Sequence, residues 1–338
     1  MSRIPYPDRI PLANTPTPLQ EMKRLSAELG PAVYFKRDDL TGSEVSGNKI
    51  RKLEFLLAEA LRQEADLIIT CGGAQSNHAR ATAAAATRLG ISSRLVLRTD
   101  DPKNPPPLSG NILLDRMVGA EIVWITPDQY QDRGRILAEM AQELKARGRK
   151  PYIVPEGGST GLGAFGYIRA VEELAQDLAA LPGGIEEPTT LIAATGSGGT
   201  LAGLALGVRL TDLPARVVGI NVAADRAYFL AEVGRIGAEA VSAFLPDLNF
   251  DPDRDFEILD GYVGLGYALS REEELSAIRD LAHLEGVILD PVYTGKAYYG
   301  MRLELLRDPE TFGSRIVFLH TGGLFGLFPK ARQLTALL

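Results

Sequence analysis

Several glycine-punctuated segments of this chain carry residue types able to do chemistry, and the first is Thr195-Gly-Ser-Gly-Gly-Thr200. It follows an apolar run and precedes a helical pattern. Gly196, Gly198 and Gly199 let successive backbone N–H groups point into one concavity, Ser197 and Thr200 add hydroxyls, and a helix N-terminus adds a favourable field. A phosphate suits such a cradle. A nucleotide P-loop is excluded by the missing Gly-Lys-Ser/Thr ending, and Leu201 stands where a dinucleotide fingerprint needs its third glycine. The plain alternative is a tight strand-to-helix turn.

A second segment, Ser46-Gly-Asn-Lys-Ile-Arg-Lys-Leu-Glu54, opens an amphipathic helix ending near Arg62. Lys49, Arg51 and Lys52 crowd its first turns, where cations oppose the helix dipole, so a bound anion or a covalent role is needed to explain them. A desolvated lysine loses its proton readily and can form a Schiff base with an aldehyde cofactor. A phosphate on that aldehyde would also occupy the glycine loop. Taken alone, a lysine after Gly-Asn is an ordinary solvated side chain.

Gly72-Gly-Ala-Gln-Ser-Asn-His78 ends another apolar run and opens another helix. Ser76 and Asn77 are natural capping residues. The same amide, hydroxyl and N–H groups of Gln75, Ser76, Asn77 and His78 also converge where a ligand enters an open α/β sheet, and a carboxylate could dock there. Asp290-Pro-Val-Tyr-Thr-Gly-Lys296 and Gly264-Leu-Gly-Tyr-Ala268 each offer a tyrosine, Tyr293 and Tyr267, and His320-Thr-Gly-Gly-Leu324 forms a further glycine turn. So many glycine turns serve one ligand more simply than several.

The elements that must hold these segments alternate. Leu67–Cys71, Arg94–Arg98, Ile122–Ile125, Tyr152–Pro155, Thr190–Ala194, Arg216–Asn221 and Arg315–Leu319 read as strands. Between them lie helical patterns at Ala79–Leu89, Gly110–Val118, Asp128–Arg147 and from about Thr200 onward. The fold class is therefore α/β: two open, twisted, mostly parallel sheets with helices on both faces. Asp101–Pro107, Leu181–Pro188 and Ala243–Asp255 read as surface connections.

Composition narrows the function. With 45% hydrophobic and 23% charged residues, no run stays apolar long enough to span a bilayer. Thirty-six Lys and Arg against 43 Asp and Glu give a net charge of −7, which repels a polyanion, so no nucleic-acid partner is expected. Cys71 is the sole cysteine, and the three histidines, His78, His283 and His320, show no ligand spacing, so neither a disulfide scaffold nor a metal site is expected. The first residues, Met-Ser-Arg-Ile-Pro-Tyr-Pro, lack the apolar core of a secretory signal, and a cytoplasmic location follows as the expectation.

Taken in order, Thr15–Leu19, Phe35–Asp39, SGNKIRKLEF, GGAQSNH, EGGSTGLGAFGY, GSGGT, GYAL, DPVYTGKA and HTGG resemble the fold-type II, tryptophan-synthase-β-like family of pyridoxal-phosphate enzymes. Within it they are most similar to the branch of D-cysteine desulfhydrase and 1-aminocyclopropane-1-carboxylate deaminase, and the likeness spans nearly the whole chain. It implies that Lys49 binds the cofactor covalently and that Asn77 bonds its phenolic oxygen. Gly196–Thr200 would grip the phosphate, with Lys52 as an added cation. Ser76 would lie beside the substrate carboxylate and Cα, with either Lys49 or Ser76 removing the Cα proton, and Tyr267 and Tyr293 would be the two active-site tyrosines.

The deaminase pattern has a glutamate directly after the second tyrosine, and this chain has Thr294. A neutral hydroxyl there, bonded to the ring nitrogen, gives a weaker electron sink, adequate for a good β-leaving group. The resemblance thus implies elimination of D-cysteine to pyruvate, ammonia and hydrogen sulfide. The alternatives are 1-aminocyclopropane-1-carboxylate deaminase, L-cysteate sulfo-lyase and a non-catalytic carrier or sensor of the cofactor. It also implies a homodimer, and a smaller domain of about residues 50–165 inserted into a larger one made of 1–49 and 166–338.

Overall fold

The computed structural model describes residues 4–338. Its strands are β1 (Leu19–Glu21), β2 (Ala32–Arg37), β3 (Leu67–Gly73), β4 (Ser92–Arg98), β5 (Glu121–Ile125), β6 (Pro151–Ile153), β7 (Thr189–Thr195), β8 (Ala215–Asn221), β9 (Glu257–Leu259) and β10 (Arg315–His320). Its α-helices are α1 (Lys23–Leu29), α2 (Lys49–Arg62), α3 (Asn77–Arg88), α4 (Gly110–Met117), α5 (Pro127–Gln131), α6 (Arg133–Ala146), α7 (Gly161–Ala179), α8 (Gly199–Thr211), α9 (Arg226–Phe244), α10 (Glu272–Glu285), α11 (Thr294–Arg307) and α12 (Ala331–Thr335). Among the described residues no helix is long and apolar enough to cross a membrane.

The strands form two sheets, in the order β1-β2-β10-β7-β8-β9 and β5-β4-β3-β6. Every pairing is parallel except that of β1 with β2. The α/β architecture of two mostly parallel sheets is therefore the observed one. Parallel sheets are covered on both faces, and alternate residues of one strand go to opposite cores. Leu191, Val317 and Leu319 pack with α7, α8 and α9, whereas Ile192, Ile316 and Phe318 pack with α1, α10 and α11. In the smaller sheet Ile68 faces the cluster of α2 and α3, while Leu67, Ile69 and Cys71 face that of α6.

Helix α2 is wedged between the two sheets. Its Leu53 and Leu57 enter the core of the smaller sheet, and its Phe55 enters the core of the larger one beside Phe165. The helix that begins at Lys49 is therefore held from both sides, and Lys49 has little freedom to drift.

Two expectations need correction. The single helix over Asp128–Arg147 is two helices, broken at Asp132. Thr126 and Gln129 form a reciprocal capping box with Pro127 in the first turn, a start signal for a short helix of its own. The break turns Tyr130 inward, where its hydroxyl donates to Glu156 Oε1 at 2.8 Å. Strand β2 lies inside the larger sheet but was absent from the predicted strands, because buried Lys36 interrupts its apolar run. That ammonium is satisfied by Thr17 O at 2.7 Å and Asp177 Oδ2 at 2.6 Å, partners remote in sequence.

Helix α4 carries a buried carboxyl, Asp115, with both oxygens free of hydrogen bonds. Burial pushes it up to about 7, against the opposing pull of Arg80. The folded state therefore holds this proton above the ordinary carboxylate range. Its contribution to stability is full below about pH 4 and is lost as pH rises toward 7. Asp115→Asn should consequently gain stability over the natural chain as pH rises from 4 to 7, measured as the difference in urea midpoints. A difference that stays flat across that window would show that Asp115 is ionised throughout.

Candidate active site

The carboxyl ends of β3, β7 and β10 lead into three of the segments singled out above, as expected at the crevice of open parallel sheets. Asn48, Lys49, Asn77, Thr195–Gly198, Thr200, Tyr293, Thr321 and Gly322 line one cleft.

Lys49 is placed by a close backbone contact. Asn48 N donates to Thr321 O at 3.1 Å, and a Cβ on Gly322 would come within 2.7 Å of Gly47 Cα. Both glycines have positive φ, 109° at Gly47 and 80° at Gly322, so neither position accepts a side chain without strain. The Lys49 amine makes no hydrogen bond to the described residues. Burial brings it down to about 8, while the charges of Glu156 and Asp290 work in the opposite direction. It is an amine available in its neutral, nucleophilic form near physiological pH.

The three cations of the first turns of α2 meet different fates. Arg51 is a structural residue. Its guanidinium bonds both oxygens of Asp38 and both of Glu173, each at 2.9 Å, tying α2 to α7 and to the turn after β2. Burial works to raise Asp38, but Arg51 and the Tyr167 and Thr17 hydroxyls outweigh it and hold the carboxyl below its usual range. Lys52, in contrast, is buried without an acidic partner, and its amine reaches only Gly157 O at 3.3 Å. Burial and the charge of Lys49 push it well below the ordinary lysine range.

A buried ammonium with one long bond calls for an anion. The amine lies 2.9 Å from where a Cβ on Gly199 would be, against the first turn of α8. Among the described residues the backbone N–H groups of Ser197 and Gly198 are unused, and those of the first turn of α8 lack intrahelical partners. Thr200 Oγ1 accepts from Asn48 Nδ2 at 2.9 Å and Ser197 Oγ from Ser159 Oγ at 2.9 Å, which leaves both hydroxyl protons to donate. The cradle fits a phosphate, and the free amine of Lys49 in the same cleft fits an aldehyde.

Ser76 caps α3, its Oγ accepting from Ala79 N at 3.1 Å, and its proton remains free. Asn77 offers its Nδ2 without a protein partner. Tyr267 and Tyr293 form a pair, hydroxyl to hydroxyl at 2.6 Å, with burial raising both. The Tyr293 ring lies against Gly196, where any side chain would collide with it.

Three further expected site residues have polar atoms engaged within the protein. Gln75 engages both ends of its amide at the start of α4, donating to Ser109 O at 3.1 Å and accepting from Asn111 N at 2.9 Å, so it positions the loop and keeps one N–H. His78 is buried against Thr70 Oγ1 at 2.9 Å and held neutral by burial and by Lys49 and Lys52. It is not among the residues that line the cleft, and its Nδ1 is buried without a hydrogen-bond partner among the described residues. Thr294 commits its hydroxyl proton to Asp290 Oδ1 at 2.7 Å, so bonding to a ring nitrogen would require Asp290 to release it.

Several further residues shape the site without standing among the expected site residues. Asp290 accepts from the backbone of Val292, Tyr293 and Thr294 and so fixes the turn that presents Tyr293. Lys296 donates to Val263 O at 2.6 Å and Gly266 O at 2.8 Å, anchoring the loop of Tyr267. Arg98 stacks between Tyr130 and Tyr267, 4.7 and 4.8 Å from the ring centroids. Aspartate, lysine and arginine at strand and helix ends carry no spacing signal of their own, and only the DPVYTGKA motif marked two of them.

The family model described as pyridoxal-phosphate dependent enzyme matches residues 10–322. The chain is 44% identical to the putative 1-aminocyclopropane-1-carboxylate deaminase of Thermotoga maritima, over 96% of this chain and 99% of that one. It is 41% identical to the mitochondrial bifunctional D-cysteine desulfhydrase/1-aminocyclopropane-1-carboxylate deaminase of Arabidopsis thaliana, over 97% of this chain and 81% of that one. Among solved structures, a 1-aminocyclopropane-1-carboxylate deaminase homologue superposes with a TM-score of 0.87 at 38% identity, covering 100% of this chain and 97% of the other.

Proposed function

The chain belongs to the family of pyridoxal-phosphate-dependent enzymes, and from that premise we propose that it is a D-cysteine desulfhydrase, converting D-cysteine and water to pyruvate, ammonia and hydrogen sulfide. The observation that carries the choice of substrate is Thr294, a buried neutral residue beside Tyr293 where the deaminase pattern has a carboxylate.

Lys49 would hold the cofactor, Lys52, Ser197, Thr200 and the first turn of α8 would hold its phosphate, and the free Nδ2 of Asn77 would be available to its phenolic oxygen. When bound, pyridoxal phosphate supplies an electron sink for the charge left at Cα. Of the two candidate bases, Lys49 has an amine near pH 8, whereas the Ser76 hydroxyl has no comparable proton affinity, so Lys49 takes the Cα proton. Ser76 contributes its remaining donor to the substrate carboxylate. The Tyr267–Tyr293 pair, kept protonated by burial, donates to the departing sulfur. The enamine product then hydrolyses in water to pyruvate and ammonia. Closure of residues 50–165 over the rest excludes water from the cleft until that point.

A homodimer belongs to the same reading. Leu113 and Met117 of α4 and Leu324 and Phe328 of the adjoining 324–330 turn leave apolar surface exposed. A cytoplasmic location accords with a single, buried, unpaired Cys71.

Deaminase activity is the second reading, favoured by the relatives named for it and by the Asp290 carboxyl against Thr294. Assay of the cofactor-loaded protein separates the two. D-cysteine should release sulfide faster than L-cysteine does, with little 2-oxobutyrate from 1-aminocyclopropane-1-carboxylate and little sulfite from L-cysteate. Ready formation of 2-oxobutyrate without sulfide would replace desulfhydrase by deaminase. A loaded protein that turns over none of these would leave a cofactor carrier.

A further inference from the structure

We infer that Asn111, in the first turn of α4, is a positioning residue that determines which end of the Asn77 amide faces the cleft. The inference rests on the reading that pyridoxal phosphate occupies this cleft. It concerns groups that sequence spacing does not connect, since Asn111 lies 34 residues beyond Asn77.

A side-chain amide is nearly symmetric in shape, so its direction is decided by neighbours that can only donate or only accept. Arg80 can only donate. Its Nε bonds Asn111 Oδ1 at 3.1 Å, and its terminal nitrogens bond Glu44 O at 2.6 Å and Ser46 O at 3.0 Å. That contact makes the cleftward-bridging atom of Asn111 its nitrogen. The main-chain carbonyl of Gln75 can only accept, and Asn111 Nδ2 donates to it at 2.9 Å, fixing Asn111 a second time. The other proton of Nδ2 goes to Asn77 Oδ1 at 2.9 Å. Asn77 therefore turns its oxygen toward Asn111 and leaves its two N–H groups over, 2.9 Å from the position of a Cβ on Gly323.

All of Asn111 is buried, and so is Arg80, so water does not compete for these bonds. The end of Asn77 left free is a donor, the end that an ionised phenolic oxygen requires. Reversed, the amide would set oxygen against oxygen. Gln75 clamps the first turn of α4 in place through Ser109 and Asn111, which keeps the relay from Arg80 to Asn111 to Asn77 in register.

Asn111→Asp tests this. The variant is nearly isosteric and still accepts from Arg80, but its second oxygen cannot donate to Asn77. Asn77 would then rotate to donate to it and present its oxygen to the cofactor. Lys49 and the phosphate cradle are untouched, so the variant should still take up pyridoxal phosphate. The readout is the pH midpoint of the bound cofactor's visible absorption band, titrated without substrate. Loss of a donor to an ionised oxygen should move that midpoint by about one pH unit. Asn77→Ala should move it in the same direction, and the double variant should match Asn77→Ala alone.

A wild-type midpoint in Asn111→Asp, or a further shift in the double variant, would overturn the inference. Asn111→Ser, too short to reach Asn77 and without a buried charge, is titrated in the same way should the aspartate variant fail to fold. A wild-type protein that develops no visible band with pyridoxal phosphate would instead overturn the reading of the cleft itself.

Discussion

Lys49→Ala should lose turnover of D-cysteine by about a thousandfold or more, with no borohydride-reducible colour after incubation with pyridoxal phosphate. Two separate losses underlie the size of the effect. The amine lines the cleft with its neutral form accessible near pH 8, and in the proposed reaction it is also the base at Cα. Lys49→Arg should fail as completely, since a guanidinium keeps its proton at any accessible pH. Neither change should disturb the fold much, because the amine makes no hydrogen bond to the described residues while Asn48 and Gly47 keep their own contacts with Thr321 and Gly322. A coloured and active Lys49→Ala protein would remove the covalent role.

Lys52→Met should produce effects of opposite sign on the empty and the loaded protein. In the empty protein the amine is buried with one carbonyl at 3.3 Å, and burial and the charge of Lys49 disfavour its protonated form, so folding must strip a polar group of water and of much of its charge, and replacing it by an apolar side chain of similar length should raise the thermal midpoint. In the loaded protein the phosphate would favour the protonated form, and the resulting ammonium would answer it. Losing a charge-assisted bond costs about 2 to 3 kcal/mol, or roughly a 30- to 150-fold weaker Kd for pyridoxal phosphate. Calorimetry of the empty protein and a cofactor titration check the two signs independently. A variant that binds the cofactor as tightly as the natural chain would show that the phosphate lies elsewhere than the Gly196–Thr200 cradle. A variant less stable when empty would mean that Lys52 already has an anion-independent structural role.

Much of the site was legible because it is built from contiguous segments at the ends of strands. Gly196–Thr200, Ser76-Asn77 and Lys49 each declare their chemistry through residue types a few positions apart, and the strands before them are short apolar runs. Strand β2 was hidden for the opposite reason, since its buried Lys36 is made tolerable by Thr17 and Asp177, and a local window contains neither. Gln75 and His78 sit in the most suggestive loop of the chain, yet Ser109 and Asn111 claim one and Thr70 the other. Their neighbours in sequence make them look like substrate ligands, and their neighbours in space hold both ends of the Gln75 amide and Nε2 of His78.

The first turns of α2 show where each kind of information ends. Residue order alone determined that Lys49, Arg51 and Lys52 begin one helix and that such crowding of charge needs an anion. Helical geometry places Lys49 and Lys52, three apart, on neighbouring positions of one face and turns Arg51 away from them. Only the packed chain decided what each face meets: Asp38 and Glu173, brought in by the turn after β2 and by α7, neutralise Arg51, while the Gly199 backbone approaches Lys52 and offers no acid. Whether a cation is already neutralised depends on carboxylates that reach it through space, and no spacing within the helix can supply them.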